Sequence, residues 1–282
     1  MKRRMILLLK ITVFAYAAIL LLLFFLQRHY IYFPTRGMEP PEHYGAEGFR
    51  TLSLRATDGI RLTAWHHDPQ PGYPTIVYFH GNAGHLGFRI AKYQALANGG
   101  YGVLALSYRG FGSSEGTPSE QGLYEDARAA IHYALGDLGL PIDRILLYGE
   151  SLGSGVAVQM ATEYPVAGLI LEAPYTSVIR RGEAMFPRVI PVALLLKDRF
   201  NSIEKITQVK APLLLFHGER DTVIPVSDGR ELLAAANEPK EGLFFSEVDH
   251  TQFPLPELLA AMDRFGQVQG WFNPLPVGSQ QP

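Results

Sequence analysis

The sequence predicts a mainly parallel, doubly wound α/β sheet, preceded by one membrane-crossing helix. Three observations predict it: short apolar runs bounded by Gly or Pro recur along the chain, helical stretches separate them, and a long apolar stretch opens it. Runs that are apolar throughout suit strands covered on both faces. Strands alternating with helices imply right-handed crossovers.

The opening stretch, Met5 to Leu26, is apolar apart from Lys10, Thr12 and a few milder residues. At about 1.5 Å rise per residue it crosses a hydrocarbon core of roughly 30 Å. Lys10 lies near one end, where its side chain can snorkel to the interface. Lys2, Arg3 and Arg4 precede the run, so the positive-inside rule puts the N-terminus in the cytoplasm and the rest of the chain in a periplasm or outside the cell. No Ala-x-Ala pattern follows, which favours an uncleaved single-pass anchor over residues 1–28 rather than a signal peptide. A short tether, about Gln27 to Gly48, would link it to the body.

Thr51–Arg55 and Arg61–Trp65 alternate around Asp58-Gly59 and read as an antiparallel hairpin. The apolar runs Thr75–Phe79, Gly102–Leu106, Arg144–Tyr148, Gly168–Leu171, Pro212–Phe216 and Leu243–Val248 read as the remaining strands. Helices are expected at about His85–Asn98, Ser119–Leu135, Leu152–Glu163, Val226–Ala236 and Pro256–Trp271. The rhythm breaks between Pro174 and Ala211, where an excursion of that length suggests a lid, about 175–205. A single domain over 29–273 results, and the Pro-, Gly- and Gln-rich tail 274–282 is expected to be disordered.

Lys+Arg 25 against Asp+Glu 27 leaves a formal charge of −2, which gives no reason to expect nucleic acid as a partner. With no cysteine in the chain, disulfides, thiolate metal sites and cysteine nucleophiles are excluded. The histidines show no ligand spacing, so neither a metal nor another cofactor is implied.

The strongest local signal is Gly149-Glu150-Ser151-Leu152-Gly153, between a predicted strand and a predicted helix. A serine on such a sharp turn stands clear of the sheet in strained geometry, and flanking glycines let strand and helix approach. The helix N-terminus favours the negative charge that develops in acyl transfer. A nucleophilic serine needs a base, and the base an orienting acid, here expected in the order Ser, acid, His. His250 follows the last strand and is the candidate base. Asp221 follows the penultimate strand and is the candidate acid; Glu172, at the end of an earlier strand, is its rival. The backbone N–H groups of Leu152 and Asn82, the latter in His80-Gly81-Asn82-Ala83-Gly84, are the candidate oxyanion donors. His80 is expected to brace that turn rather than react. No Gly-Lys-Ser/Thr follows it, so it is not a phosphate-binding P-loop.

Together these residues resemble the α/β-hydrolase superfamily. The likeness runs from Tyr32-Phe33-Pro34 through His80-Gly81-Asn82-Ala83-Gly84, Tyr108-Arg109-Gly110-Phe111-Gly112, the serine turn, Glu172-Ala173-Pro174-Tyr175-Thr176-Ser177 and His217-Gly218-Glu219-Arg220-Asp221 to His250. More narrowly it is similar to the anchored, short-lid branch of bacterial membrane hydrolases and eukaryotic protein depalmitoylases. The resemblance implies Ser151, Asp221 and His250 as the catalytic triad.

The expected activity is hydrolysis of an ester or thioester of a small or lipid-like acyl substrate beside the membrane. A proline-releasing aminopeptidase and a non-catalytic binding protein are the alternatives. An aminopeptidase needs acidic groups to hold the substrate ammonium, whereas the lid carries Arg180, Arg181, Arg188, Lys197 and Arg199 against Glu183 and Asp198. Ser151 itself argues against a carboxylate nucleophile, as in epoxide hydrolysis.

Overall fold

The structure, a computed structural model, describes residues 2–272. The expected disordered tail lies outside them. Eight strands form one sheet: β1 (Arg50–Arg55), β2 (Arg61–His67), β3 (Thr75–Phe79), β4 (Gly102–Ser107), β5 (Ile145–Glu150), β6 (Gly168–Glu172), β7 (Leu213–Gly218) and β8 (Lys240–Phe245). Their spatial order is β8-β7-β6-β5-β3-β4-β2-β1. Only β2 runs against its neighbours, pairing antiparallel with β1 and β4; all other pairs are parallel.

The continuous apolar runs have the predicted cause. Val77 and Phe79 face one core, with Leu123, Ala127 and Val156, while Ile76 and Tyr78 face the other, with Tyr93, Leu96 and Leu258. Besides α1 (Lys2–Ile31), the helices are α2 (Ile90–Asn98), α3 (Glu120–Gly136), α4 (Leu152–Glu163), α5 (Val178–Met185), α6 (Val192–Leu195), α7 (Ser202–Lys205), α8 (Val226–Ala235) and α9 (Leu255–Gln269). α2 and α9 cover one face of the sheet, and α3, α4 and α8 the other. Ser119 caps α3, its hydroxyl accepting from the Gly122 N–H at 3.1 Å.

Two elements depart from the sequence reading. β8 begins at Lys240, three residues before the predicted run, and ends at Phe245. It is an edge strand bonded only to β7, so its residues are half-buried and tolerate Lys240 and Glu241 at the start. The stretch from Gln27, expected as a tether, is also different. α1 continues to Ile31, Gln27 and Tyr32 are buried, and Phe33–Pro34 pairs in parallel with Ala83–Gly84.

α1 is long and apolar enough to cross a membrane. Its second half packs on the insertion between β6 and β7, which carries α5, α6 and α7. Arg28 donates to Asp198 at 2.9 Å, and the Lys197 ammonium lies 4.0 Å from the centre of the Phe24 ring. At the opposite end of the sheet, the buried Trp271 donates to the Ala167 carbonyl at 3.0 Å and accepts from Arg144 at 2.8 Å, which closes the base of the fold.

Candidate active site

β5 is the centre of the sheet, beside the point where the strand order reverses, and ligands in such sheets bind at the carboxyl ends of the strands. Ser151 stands there, between β5 and α4, with φ 51° and ψ −117°. This is the strained backbone expected of a sharp strand-to-helix turn. The flanking glycines have a measurable reason: a Cβ on Gly153 would lie 2.0 Å from the Phe79 carbonyl oxygen, and one on Gly149 2.6 Å from that of Gly153. The Ser151 N–H donates to the Glu172 carbonyl at 2.8 Å, tying the turn to β6.

His250 comes from the loop after β8. Its Nε2 lies 2.8 Å from Ser151 Oγ, and its Nδ1 lies 2.8 Å from Asp221 Oδ2. The other Asp221 oxygen accepts the N–H groups of Val223 at 2.8 Å and Ile224 at 2.7 Å. Burial works against ionisation of Asp221, but hydrogen bonds from His217, His250 and the Ile224 N–H outweigh it and hold the carboxyl well below its usual range. An ionised Asp221 accepts from Nδ1–H, which leaves the lone pair of Nε2 facing the serine hydroxyl.

The structure therefore brings Ser151, Asp221 and His250 together and leaves Glu172 apart. The Glu172 carboxylate is fully buried on the far side of the turn, accepting from Lys92 at 2.6 and 2.7 Å and from the Tyr148 hydroxyl. Sequence reasoning missed three further contributors. His217 Nε2 sits 2.9 Å from the Ile224 carbonyl and 3.3 Å from Asp221 Oδ2, bracing the acid from behind. Lys92 and Arg89 neutralise Glu150 and Glu172 beneath the serine turn, Arg89 donating to Glu150 at 2.8 Å. A lysine on a helix reads as solvated, so only its position facing two strand-end acids could have given it away.

Leu152 and Asn82 both border the cavity in front of Ser151. The Asn82 side chain donates to the Ile31 carbonyl at 3.1 Å, and the Asn82 main-chain carbonyl accepts from Phe33 N–H at 2.8 Å, so the turn holds the end of α1. His80 Nδ1 lies 2.7 Å from the Gly81 carbonyl, and the ring packs on Tyr108 and Phe111. Burial first, and then Arg89, push its pKa down to about 3, so it stays neutral and braces the turn as expected.

The cavity measures about 360 Å³ and is mainly apolar. Its walls come from α1 (Leu23, Gln27, Ile31), from the insertion (Val178, Ile190, Leu195) and from Val223 and Ile224 beside the acid. No carboxylate borders it among the described residues; Arg181 is its one charged group. The basic excess of the insertion is engaged internally more than its composition implies. Arg180 pairs with Glu231, Arg181 approaches Asp228 at 3.4 Å, and Lys197 covers Phe24.

Comparison with known proteins agrees with this architecture. A family described as serine aminopeptidase, S33 matches residues 72–203, a stretch that contains Ser151 and ends before Asp221. An uncharacterised protein of Mycobacterium tuberculosis is 39% identical over 235 residues, covering 83% of this chain and 82% of the relative. The lysophosphatidylserine lipase ABHD12 of Danio rerio is 30% identical over 241 residues, covering 72% of this chain and 63% of that protein. Among solved structures, an esterase of Pyrococcus furiosus superposes with a TM-score of 0.69 at 20% identity, over 86% of this chain and 98% of that one, a likeness of fold. With an eight-stranded sheet in this order and a strained serine between its central strand and the following helix, the chain belongs to the α/β-hydrolase family.

Proposed function

We propose that the protein is a serine hydrolase that cleaves carboxylic ester or thioester bonds of lipid-like acyl substrates at a membrane, with Ser151 as nucleophile, His250 as general base and Asp221 as its orienting acid. The observation that carries the proposal is the pair of 2.8 Å contacts from His250 to Ser151 and to Asp221, at the mouth of an apolar cavity. Ser151 Oγ attacks the acyl carbon while His250 takes its proton. The tetrahedral oxyanion is met by the Leu152 and Asn82 N–H groups, and the alcohol or thiol leaves with the proton from His250. Water, deprotonated by His250, then releases the acid from the acyl-enzyme. The insertion, about residues 175–205, acts as the lid.

The name of the Danio rerio lipase supports a lipid-like substrate. The family description raises aminopeptidase action as the second reading. A substrate ammonium calls for a carboxylate near the serine, and the described cavity lining offers Arg181 instead. A fluorophosphonate probe should label Ser151, and Ser151→Ala should abolish the labelling. Purified protein should turn over p-nitrophenyl esters or an acyl thioester faster than a proline anilide. Labelling that persists in Ser151→Ala, or faster anilide cleavage, would overturn the proposal.

In this reading α1 is an uncleaved anchor with its N-terminus in the cytoplasm, set by Lys2, Arg3 and Arg4, and the hydrolase body lies across the membrane. A C-terminal reporter active only outside the cytoplasm should give signal. Activity of a cytoplasmic reporter at the same position would reverse the orientation.

A further inference from the structure

α1 is built into the cavity rather than hung from it. Leu23, Gln27, Tyr30 and Ile31 line it on one side, facing Ile190, Val192, Leu195 and Leu196 of the insertion on the other. The two walls are joined by directional bonds. Gln27 is buried; its side-chain oxygen accepts the Lys197 N–H at 2.6 Å, and its amide nitrogen donates to the Leu195 carbonyl at 3.1 Å. One amide that donates to and accepts from the same short segment fixes spacing and register, which apolar contact alone does not.

The Asp198 carboxylate adds to this latch, accepting from Arg28 at 2.9 Å and from the Tyr32 hydroxyl at 3.1 Å. Farther up the helix the Tyr16 hydroxyl donates to the Val189 carbonyl. Tyr16 precedes Leu26 by ten residues, about 15 Å along the axis, which is about half the thickness of a hydrocarbon core. The rim of the insertion, where Met185, Val189 and Leu194 are exposed, thus reaches the level that α1 crosses.

We propose that the membrane helix is a wall of the acyl-binding pocket, with Leu23 a determinant of acyl-chain length and Gln27 the residue that sets its distance from the insertion. The inference rests on the reading of Ser151 as nucleophile and assigns the far end of the same site. Ile31 lies near Asn82, and Leu23 stands eight residues away, about 12 Å along the helix. An acyl group bonded at Ser151 therefore extends along α1, and a chain enters from the bilayer between α1 and α6.

The test uses the full chain in lipid nanodiscs and compares labelling rates of Ser151 by a butyl and a dodecyl fluorophosphonate. Leu23→Trp fills the far end of the pocket and should lower the dodecyl-to-butyl rate ratio about tenfold, the scale of one or two methylenes in a hydrophobic site. Leu22→Trp, on the neighbouring exposed position, adds the same bulk toward lipid and should keep the wild-type ratio. Gln27→Leu, of similar volume but without the latch, should lower the ratio in the same direction as Leu23→Trp. An unchanged ratio in Leu23→Trp, or an equal fall in Leu22→Trp, overturns the inference while leaving the nucleophile in place. Failure of both probes to label the wild type overturns the reading of Ser151 and this inference with it.

Discussion

The two sides of the serine turn are opposite in chemistry. Behind it, Glu150 and Glu172 at the ends of β5 and β6 are buried with Lys92 and Arg89 of the segment leading into and through α2, and with Tyr78 and Tyr148 stacked at 4.6 Å. In front of it lies a mainly apolar cavity. The rear is fixed by directional bonds between groups that cannot be left unpaired. The front is a mainly apolar surface, which suits the acyl substrate proposed above. The difference places directional bonding where Ser151 holds a strained conformation and leaves mostly apolar contact in front of it.

The largest effect should come from exchanging the roles of carboxylates on the two sides. Asp221→Asn should lower kcat by about 10⁴-fold, because an amide no longer holds the His250 tautomer that faces Ser151. Glu172→Gln, in protein shown by circular dichroism to be folded, should cost far less. If steady-state turnover on a short ester ranks the two the other way, the orienting acid belongs to the rear cluster and the contrast collapses.

That Ser151, Asp221 and His250 could converge, with Glu172 as the rival acid, was legible in the sequence, and the structure brings the first three within hydrogen-bonding distance. Ser151 follows β5 directly, and Asp221 and His250 lie in the short loops after β7 and β8. The sheet and most helices were legible because apolar runs and their Gly and Pro boundaries are local. The pocket was not. Its walls set Leu23 and Leu195 around one cavity and bond Gln27 to Lys197, an arrangement set by how α1 docks, and no local periodicity encodes docking. Lys92 was hidden for the related reason that its partners are remote strand ends. β8 was misplaced because an edge strand keeps polar residues that a buried strand would not.

The rear cluster can be broken directly. Lys92→Met should cost about 3–5 kcal/mol of stability, since it leaves a buried carboxylate pair without its shared cation. Burial, partly offset by Lys92 and reinforced by Glu150, already pushes the Glu172 pKa above its ordinary value. Without Lys92 it rises further above that of the unfolded chain, so the folded form binds the extra proton. Stability is then greatest below the unfolded pKa and is lost as pH rises through the folded one. The melting temperature of Lys92→Met should accordingly climb on acidification from pH 8 toward 5, relative to wild type. Parallel curves for the two proteins would mean that the cation does not govern the pair.

The smallest effect sharpens the front side. Leu195 lines the cavity, whereas Leu194 beside it is 82% exposed. Leu195→Ser should flatten the rise of kcat/KM from acetyl to medium-chain esters, by up to about tenfold at the long end. Leu194→Ser should leave that profile alone on micelle-free substrates. Equal profiles for the two variants would show that the insertion acts by general greasiness rather than as a shaped wall.

The latch between α1 and the insertion has a consequence for biosynthesis. Gln27 and Arg28 meet partners about 170 positions later in the chain. α1 is synthesised before the insertion that forms its partner wall, which follows only after β1 to β6, and His250 comes later still. Contacts of such separation close late in folding. If α1 is the anchor and Ser151 the nucleophile proposed above, a chain truncated before the insertion keeps the apolar helix but has no formed pocket, so it should not hydrolyse acyl substrates.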